Sequence, residues 1–553
     1  MSVSIPKIKA TRPNRNRNAF DLSQRHLFTA HAGMLLPVLN LDLIPHDHVE
    51  INAQDFMRTL PMNTAAFASM RGVYEFFFVP YHQLWAQFDQ FITGMNDFHS
   101  SANKSIQGGI SPLQVPYFNV DSVFNSLNTG KESGSGSTDD LQYKFKYGAF
   151  RLLDLLGYGR KFDSFGTAYP DNVSGLKNNL DYNCSVFRIL AYNKIYQDYY
   201  RNSNYENFDT DSFNFDKFKG GLVDAKVVAD LFKLRYRNAQ TDYFTNLRQS
   251  QLFSFTTAFE DVDNINIAPR DYVKSDGSNF TRVNFGVDTD SSEGDFSVSS
   301  LRAAFAVDKL LSVTMRAGKT FQDQMRAHYG VEIPDSRDGR VNYLGGFDSD
   351  MQVSDVTQTS GTTATEYKPE AGYLGRVAGK GTGSGRGRIV FDAKEHGVLM
   401  CIYSLVPQIQ YDCTRLDPMV DKLDRFDYFT PEFENLGMQP LNSSYISSFC
   451  TTDPKNPVLG YQPRYSEYKT ALDVNHGQFA QSDALSSWSV SRFRRWTTFP
   501  QLEIADFKID PGCLNSIFPV DYNGTEANDC VYGGCNFNIV KVSDMSVDGM
   551  PRV

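Results

Sequence analysis

The sequence predicts a mainly β protein, a sandwich or barrel carrying long polar insertions. Three observations lead there. Short apolar and aromatic runs stand between Gly and Pro turn signals instead of alternating with helical patterns. Aromatic residues make up 14% of the 553, with 43 Phe and 29 Tyr, more flat side chain than one core needs and a composition enriched where chains bury surface against partners. A polar middle, rich in Asn, Asp and Ser, separates two β-rich flanks. The length would ordinarily mean roughly three or four domains, though one β domain with long insertions uses as much.

Residues 1–18 read as a basic arm. Pro6 and Pro13 block a helix, and Lys7, Lys9, Arg12, Arg15 and Arg17 meet no acidic residue. Such cations release counterions from phosphates and bind single strands without reading sequence. An ordinary disordered basic terminus is the competing reading. Val73–Val79 is almost continuously apolar and stops at Pro80, the pattern of a fully buried strand. From Ser101 to about Ser300 the chain turns polar, with loop-like stretches at Thr129–Asp140 and Phe259–Ser300. Connections this long are usually functional, so insertions between barrel strands, with some structure of their own, are expected.

A helix is predicted from Leu301, capped by Ser300 and stopped at Gly318. Leu301, Ala304, Phe305, Leu311 and Met315 fall within roughly a third of its circumference, which suits burial of one face, although Asp308 interrupts the stripe. Arg302, Lys309 and Arg316 line another face, either solvated or turned to phosphate. Gly379–Arg388, GKGTGSGRGR, fits neither the phosphate loop nor the dinucleotide fingerprint and reads as a flexible basic loop. Its Lys380, Arg386 and Arg388 are free to meet nucleic acid or a neighbouring subunit. Val398–Tyr411 is a second buried run, in which Pro407 marks an edge or a bulge.

Chemistry is thinly signalled. The net charge of −10 argues against bulk-charge coating of nucleic acid, so any such contact is a local patch. Seven cysteines include no C-x-x-C pair, and the Cys530–Cys535 spacing matches no zinc pattern. Buried thiols of a reducing compartment are expected. In PHDHVE, His46, His48 and Glu50 would share a strand face as metal ligands do, but Pro45 makes a turn the better reading. No nucleophile setting appears among the motifs, so no catalytic residue, cofactor or metal is predicted. The opening residues lack the apolar core of a signal peptide and no long apolar run is present, so a soluble chain without membrane insertion is expected. Ser491–Trp496, SRFRRW, interleaves Arg492, Arg494 and Arg495 with Phe493 and Trp496. Cations with stacking rings suit unpaired bases and a subunit interface equally.

Several distinctive strings stand in order along the chain: NAFDLSQRHLFTAHAG (Asn18–Gly33), YEFFFVPYHQLW (Tyr74–Trp85), AYNKIYQDYYRN (Ala191–Asn202) and DYFTNLRQSQ (Asp242–Gln251). LRAAFAVDKLL (Leu301–Leu311), PDSRDGRVNYLGG (Pro334–Gly346), KEHG (Lys394–Gly397) and LGYQPRYSEYK (Leu459–Lys469) follow. Together they resemble the major capsid proteins of microviruses, small icosahedral single-stranded DNA phages, in their gokushovirus-like branch. RAGKTFQDQM (Arg316–Met325) and the VNYLGG string depart from the usual pattern of that family.

The resemblance implies an eight-stranded jelly-roll barrel with long, partly helical insertions. Residues 19–100 and 301–553 would form the core, 101–258 an insertion with helical segments, and 259–300 a variable projecting loop. It implies a T=1 shell of about sixty copies, packaged circular single-stranded DNA, a small basic packaging protein, a minor pilot protein and a host surface receptor. The virion would be assembled in the bacterial cytoplasm. One rival is a secreted β-sandwich that binds or degrades glycans, which would need an export signal and a facing carboxylate pair. The other is a plain single-stranded DNA-binding protein.

Overall fold

The computed structural model describes residues 17–64, 66–93, 114–129, 148–159, 181–248 (without 217 and 219), 305–314 (without 308), 317, 321–334 (without 333), 339–357, 377–412, 417–434 (without 421), 437–442, 445, 458–492 (without 482), 508–520 and 529–547. The fold is mainly β: one curled antiparallel sheet forms a jelly-roll-like half-barrel with helical insertions. Its strands are β1 (Asn18–Asp21), β2 (Gln24–Ala30), β3 (Leu36–Leu43), β4 (His48–Thr59), β5 (Met70–Pro80), β6 (Asn342–Thr357), β7 (Val377–Asp392), β8 (Gly397–Pro407) and β9 (Val531–Ser543). They run in the order β1-β9-β4-β7-β6-β5-β8-β3, and β2 lies on β9.

The two halves of this sheet differ in burial. Along β8 every residue is buried, and β5 is nearly so, because both of their faces are covered. On the concave side Tyr74 stacks on Phe347 at 4.6 Å, Phe28 meets Tyr403 edge-on at 4.7 Å, and Phe76 meets Phe537 at 6.5 Å. On the convex side Phe77 packs against Tyr199 at 5.0 Å, and Arg237 reaches Glu75 at 2.7 Å and the Ser404 hydroxyl at 2.9 Å. The Tyr200 hydroxyl also donates to Glu75. These partners come from the insertion, whose helix Phe187–Ile195 is buried on nearly every side, as a helix passing through a core must be. It widens into a π turn at Tyr196–Tyr200, which aims successive tyrosines at the sheet. By contrast β4 and β9 alternate strictly between buried and open positions, so their convex side is bare.

Gly379–Arg388 is not a loop. It is the body of β7, paired with β4 on one side and β6 on the other. Glycine at every second position is a period-two pattern on the inward face, where side chains or backbone of the neighbouring strands fill the space of a Cβ. A Cβ at Gly387 would lie 2.4 Å from the Phe347 ring, and one at Gly381 2.8 Å from the Thr59 methyl. Lys380, Arg386 and Arg388 therefore share the open face.

Pro407 is the last residue of β8. There the strand pairs with Met70 of β5 alone, because the β3 register ends at Tyr403, so the missing N–H costs little at this one-sided end. The helix predicted from Leu301 is present where described, over 305–307 and 309–314; of its apolar stripe Phe305 is 66% exposed and Leu311 half-buried, and Leu310, off the stripe, is 54% exposed. Periodicity shows that a face favours burial without naming what covers it. Ser300, Leu301, Arg302, Ala304, Asp308, Met315, Arg316 and Gly318 lie outside the described residues, as do residues 259–300.

Candidate assembly surface and nucleic-acid contacts

The sequence strings meet one another at junctions. In YHQLW and KEHG, the Tyr81 amide donates to the His396 carbonyl at 3.0 Å, and His82 faces Glu395 at 2.9 Å. Gly397 starts β8 where a Cβ would sit 2.4 Å from the Val79 carbonyl. In VNYLGG, Gly345 holds φ +117° beside a register shift against Phe76 and Phe77, a bulge only glycine accommodates readily. DYFTNL and GYQPRY join through reciprocal 2.8 Å backbone bonds between Arg248 and Tyr461. Tyr243, Phe244 and Leu247 there form a small second core with Tyr411 and Leu441.

Residues 417–434 stand out beside that core. Leu423 is 90% exposed and Val420 70%, and Phe426, Tyr428 and Phe429 are open as well. So many apolar side chains on one short segment mark a surface awaiting a partner. The segment is held firmly from beneath. Lys422 is buried with Glu467 at 2.6 Å and also donates to the Asp427 carbonyl at 2.7 Å. Burial raises the Glu467 carboxyl pKa, but bonds from Lys422 and Gln439 outweigh it and hold the group below its ordinary value. Asp427 caps the turn by accepting the Asp424 and Leu423 amides at 2.8 and 3.1 Å, which pulls its own pKa down. Tyr465 holds φ +62°, a left-handed conformation that costs energy in a bulky residue. Its ring lies under Arg464 at 5.2 Å, and both line a cavity of about 380 Å³ with Lys422 and Phe426. No motif in the sequence marked residues 417–434. Their apolar side chains alternate with charges and resemble an ordinary loop until exposure is known.

Of the predicted nucleic-acid contacts, Arg17 is placed. Its guanidinium donates to the His46 and Val542 carbonyls at 2.7 and 3.3 Å and faces Asp544 at 3.6 Å, pinning the arm where β4 begins and β9 ends. Lys7, Lys9, Arg12 and Arg15 lie outside the described residues, as do Arg494, Arg495 and Trp496. Arg492 is placed by backbone alone, in the short strand Ser491–Arg492 parallel to Gln410–Asp412. The PHDHVE residues part company. His46 sits in a turn at φ +76°, Asp47 turns inward to Lys541 at 2.7 Å, and His48 lies on the open face 2.7 Å from Asp392. Among the described residues no group of three or more His, Cys, Asp or Glu could hold a metal ion, and no helix is long and apolar enough to cross a membrane.

Comparison with known proteins accords with a chain built to assemble. The family model described as Capsid protein (F protein) matches residues 8–126 and 159–551. Capsid protein VP1 of Bdellovibrio phage phiMH2K is 24% identical over 548 residues, covering 90% of this chain and 88% of that protein. Capsid protein VP1 of Chlamydia phage 1 is 22% identical over 545 residues, covering 86% and 87%. With the match spanning both flanks of the sheet and nearly all of the insertion, the chain belongs to the phage capsid protein (F protein) family, as a structural, microvirus-like major capsid protein whose copies assemble into the virion shell.

Proposed function

We propose that about sixty copies of this chain close a T=1 shell around circular single-stranded DNA, assembled in the bacterial cytoplasm. The interior would also hold a small basic packaging protein and a minor pilot protein, and residues 259–300 would project and meet the host receptor. The cations Lys7, Lys9, Arg12 and Arg15 of the arm would meet the genome, with Arg17 fixing its root. Arg492, Arg494, Arg495 and Trp496 would form a second contact. The subunit would carry out no chemistry of its own.

The observation that carries this reading is the rigidly backed apolar segment at 417–434, which a chain living alone would have no reason to keep. Standard interfaces bury about 1,600 Å² in total, and a subunit with several neighbours buries several times that. Purified chain, with or without its basic partner, is expected to sediment as shells or pentamers and to show hollow particles in electron micrographs. A monomer that persists at high concentration refutes the proposal.

A further inference from the structure

The convex face of the sheet is covered over β5 and β8 and bare over β2, β9, β4 and β7. On those four strands the open positions carry Arg25, Arg58, Lys380, Arg386 and Arg388 against two carboxylates. Both carboxylates are engaged, Glu50 with Arg388 at 2.9 Å and Asp392 with His48 at 2.7 Å. A cationic excess on a chain of net charge −10 is a local feature. It is bounded by Asp21 on β1 and by Asp348 and Asp350 on β6, of which Asp348 already faces Arg71 at 3.2 Å.

Two rings stand within this basic field. Phe56 is 49% and Tyr532 46% exposed, and the register Gly534↔Phe56 and Tyr532↔Arg58 makes them diagonal neighbours on adjacent strands. Diagonal positions lie about 7–8 Å apart, within reach of large side chains. The Arg58 guanidinium sits over the Phe56 ring, 4.9 Å from its centroid, so ring and cation lie side by side on this face. Unpaired bases stack on aromatic rings and on guanidinium planes, and sheet faces bearing such pairs are known platforms for single strands. Beyond the rings, Gln54 faces Asn536 and Asn52 faces Asn538, an amide ladder able to hydrogen-bond base edges or phosphate. Arg17 is pinned at a corner of this same face.

We infer that this bare half of the sheet is a binding surface for single-stranded nucleic acid, with bases stacked on Phe56 and Tyr532 and phosphates held by the surrounding arginines and Lys380. The inference rests on the genome-enclosing reading and gives it an address. A small basic protein is disfavoured here by like charge, and binding of this kind requires no base specificity.

Three experiments test it. Ultraviolet irradiation of full particles, followed by mass spectrometry, should find nucleotide adducts on peptides containing Phe56 or Tyr532. The purified chain should bind a polythymidine oligonucleotide with a salt slope that falls by about 0.7 for each cation removed in Arg58→Gln and Arg386→Gln. Phe56→Leu should weaken binding roughly tenfold, with circular dichroism unchanged. Shells that form normally while adducts map elsewhere and the variants keep the parent slope would overturn the inference alone. Labelling of Lys380 on intact particles by an amine reagent excluded from the interior would do the same. If the parent chain forms no shells and binds no polythymidine, the genome-enclosing reading itself fails.

Discussion

His31, in the string that opens the sheet, is 1% exposed, and its Nδ1 accepts the Ala32 amide at 2.9 Å. A ring nitrogen that accepts is unprotonated, so the neutral imidazole is the form that fits. Burial is the largest cause lowering its pKa from 6.5 to about 4, with Arg151 adding to the effect and Asp529 and Asp510 opposing it. The sign follows from linkage. The unfolded chain binds a proton at higher pH than the folded one, so the contribution is complete above about pH 6.5 and is lost as pH falls toward 4. Urea unfolding of the purified chain should show stability dropping across that window, with a share on the order of 3 kcal/mol from this one ring. His31→Gln should remove that share and flatten the profile. An unchanged profile would mean that His31 binds its proton equally well folded and unfolded.

At the level of elements, β7 shows what a sequence pattern conceals. Glycine usually punctuates, so five of them alternating with Lys, Thr, Ser and Arg read as a loop. Gly379, Gly381 and Gly387 are instead the small partners of Met62, Met351 and Phe347, while at Gly383 and Gly385 the neighbouring strand's backbone leaves no room for a Cβ. Val73–Val79 and the start of Val398–Tyr411 were legible because burial on both faces leaves a continuous apolar run needing no knowledge of partners, although the second strand ends at Pro407 and Gln410–Asp412 belongs to another sheet. The helix beyond Ser300 was legible in type, while its covering was not, since Phe305 and Leu310 are more than half exposed. Gly387→Val supplies a direct test of the glycine reading. The new side chain must displace Phe347 and should cost about 1–3 kcal/mol in a denaturant titration. Thr382→Val, five residues earlier in β7 on the open face, should stay within about 0.5 kcal/mol. Equal costs for the two would remove the packing explanation.

For the whole molecule, closure depends on surfaces that motif reading does not find, because an interface is assembled from segments that need share no pattern. The sequence strings located fold junctions and, through resemblance, the family. Residues 417–434 carried no such string, and the bare sheet face is spread from Arg25 to Tyr532. The assembly claim is nonetheless sharp at one residue. Leu423 is 90% exposed, so replacing it should leave the subunit's own fold within about 0.5 kcal/mol. Buried against a neighbour, a leucine contributes about 1.5–3 kcal/mol, and a closed shell repeats that contribution in every copy. Leu423→Asp removes the contribution and places a carboxylate where an apolar contact is expected. The variant should retain the parent's circular dichroism and sediment below the shell and pentamer. If it assembles as the parent does, the segment at 417–434 faces solvent in the particle, and the closing contacts must be sought at the exposed helices around Phe305 and Tyr329.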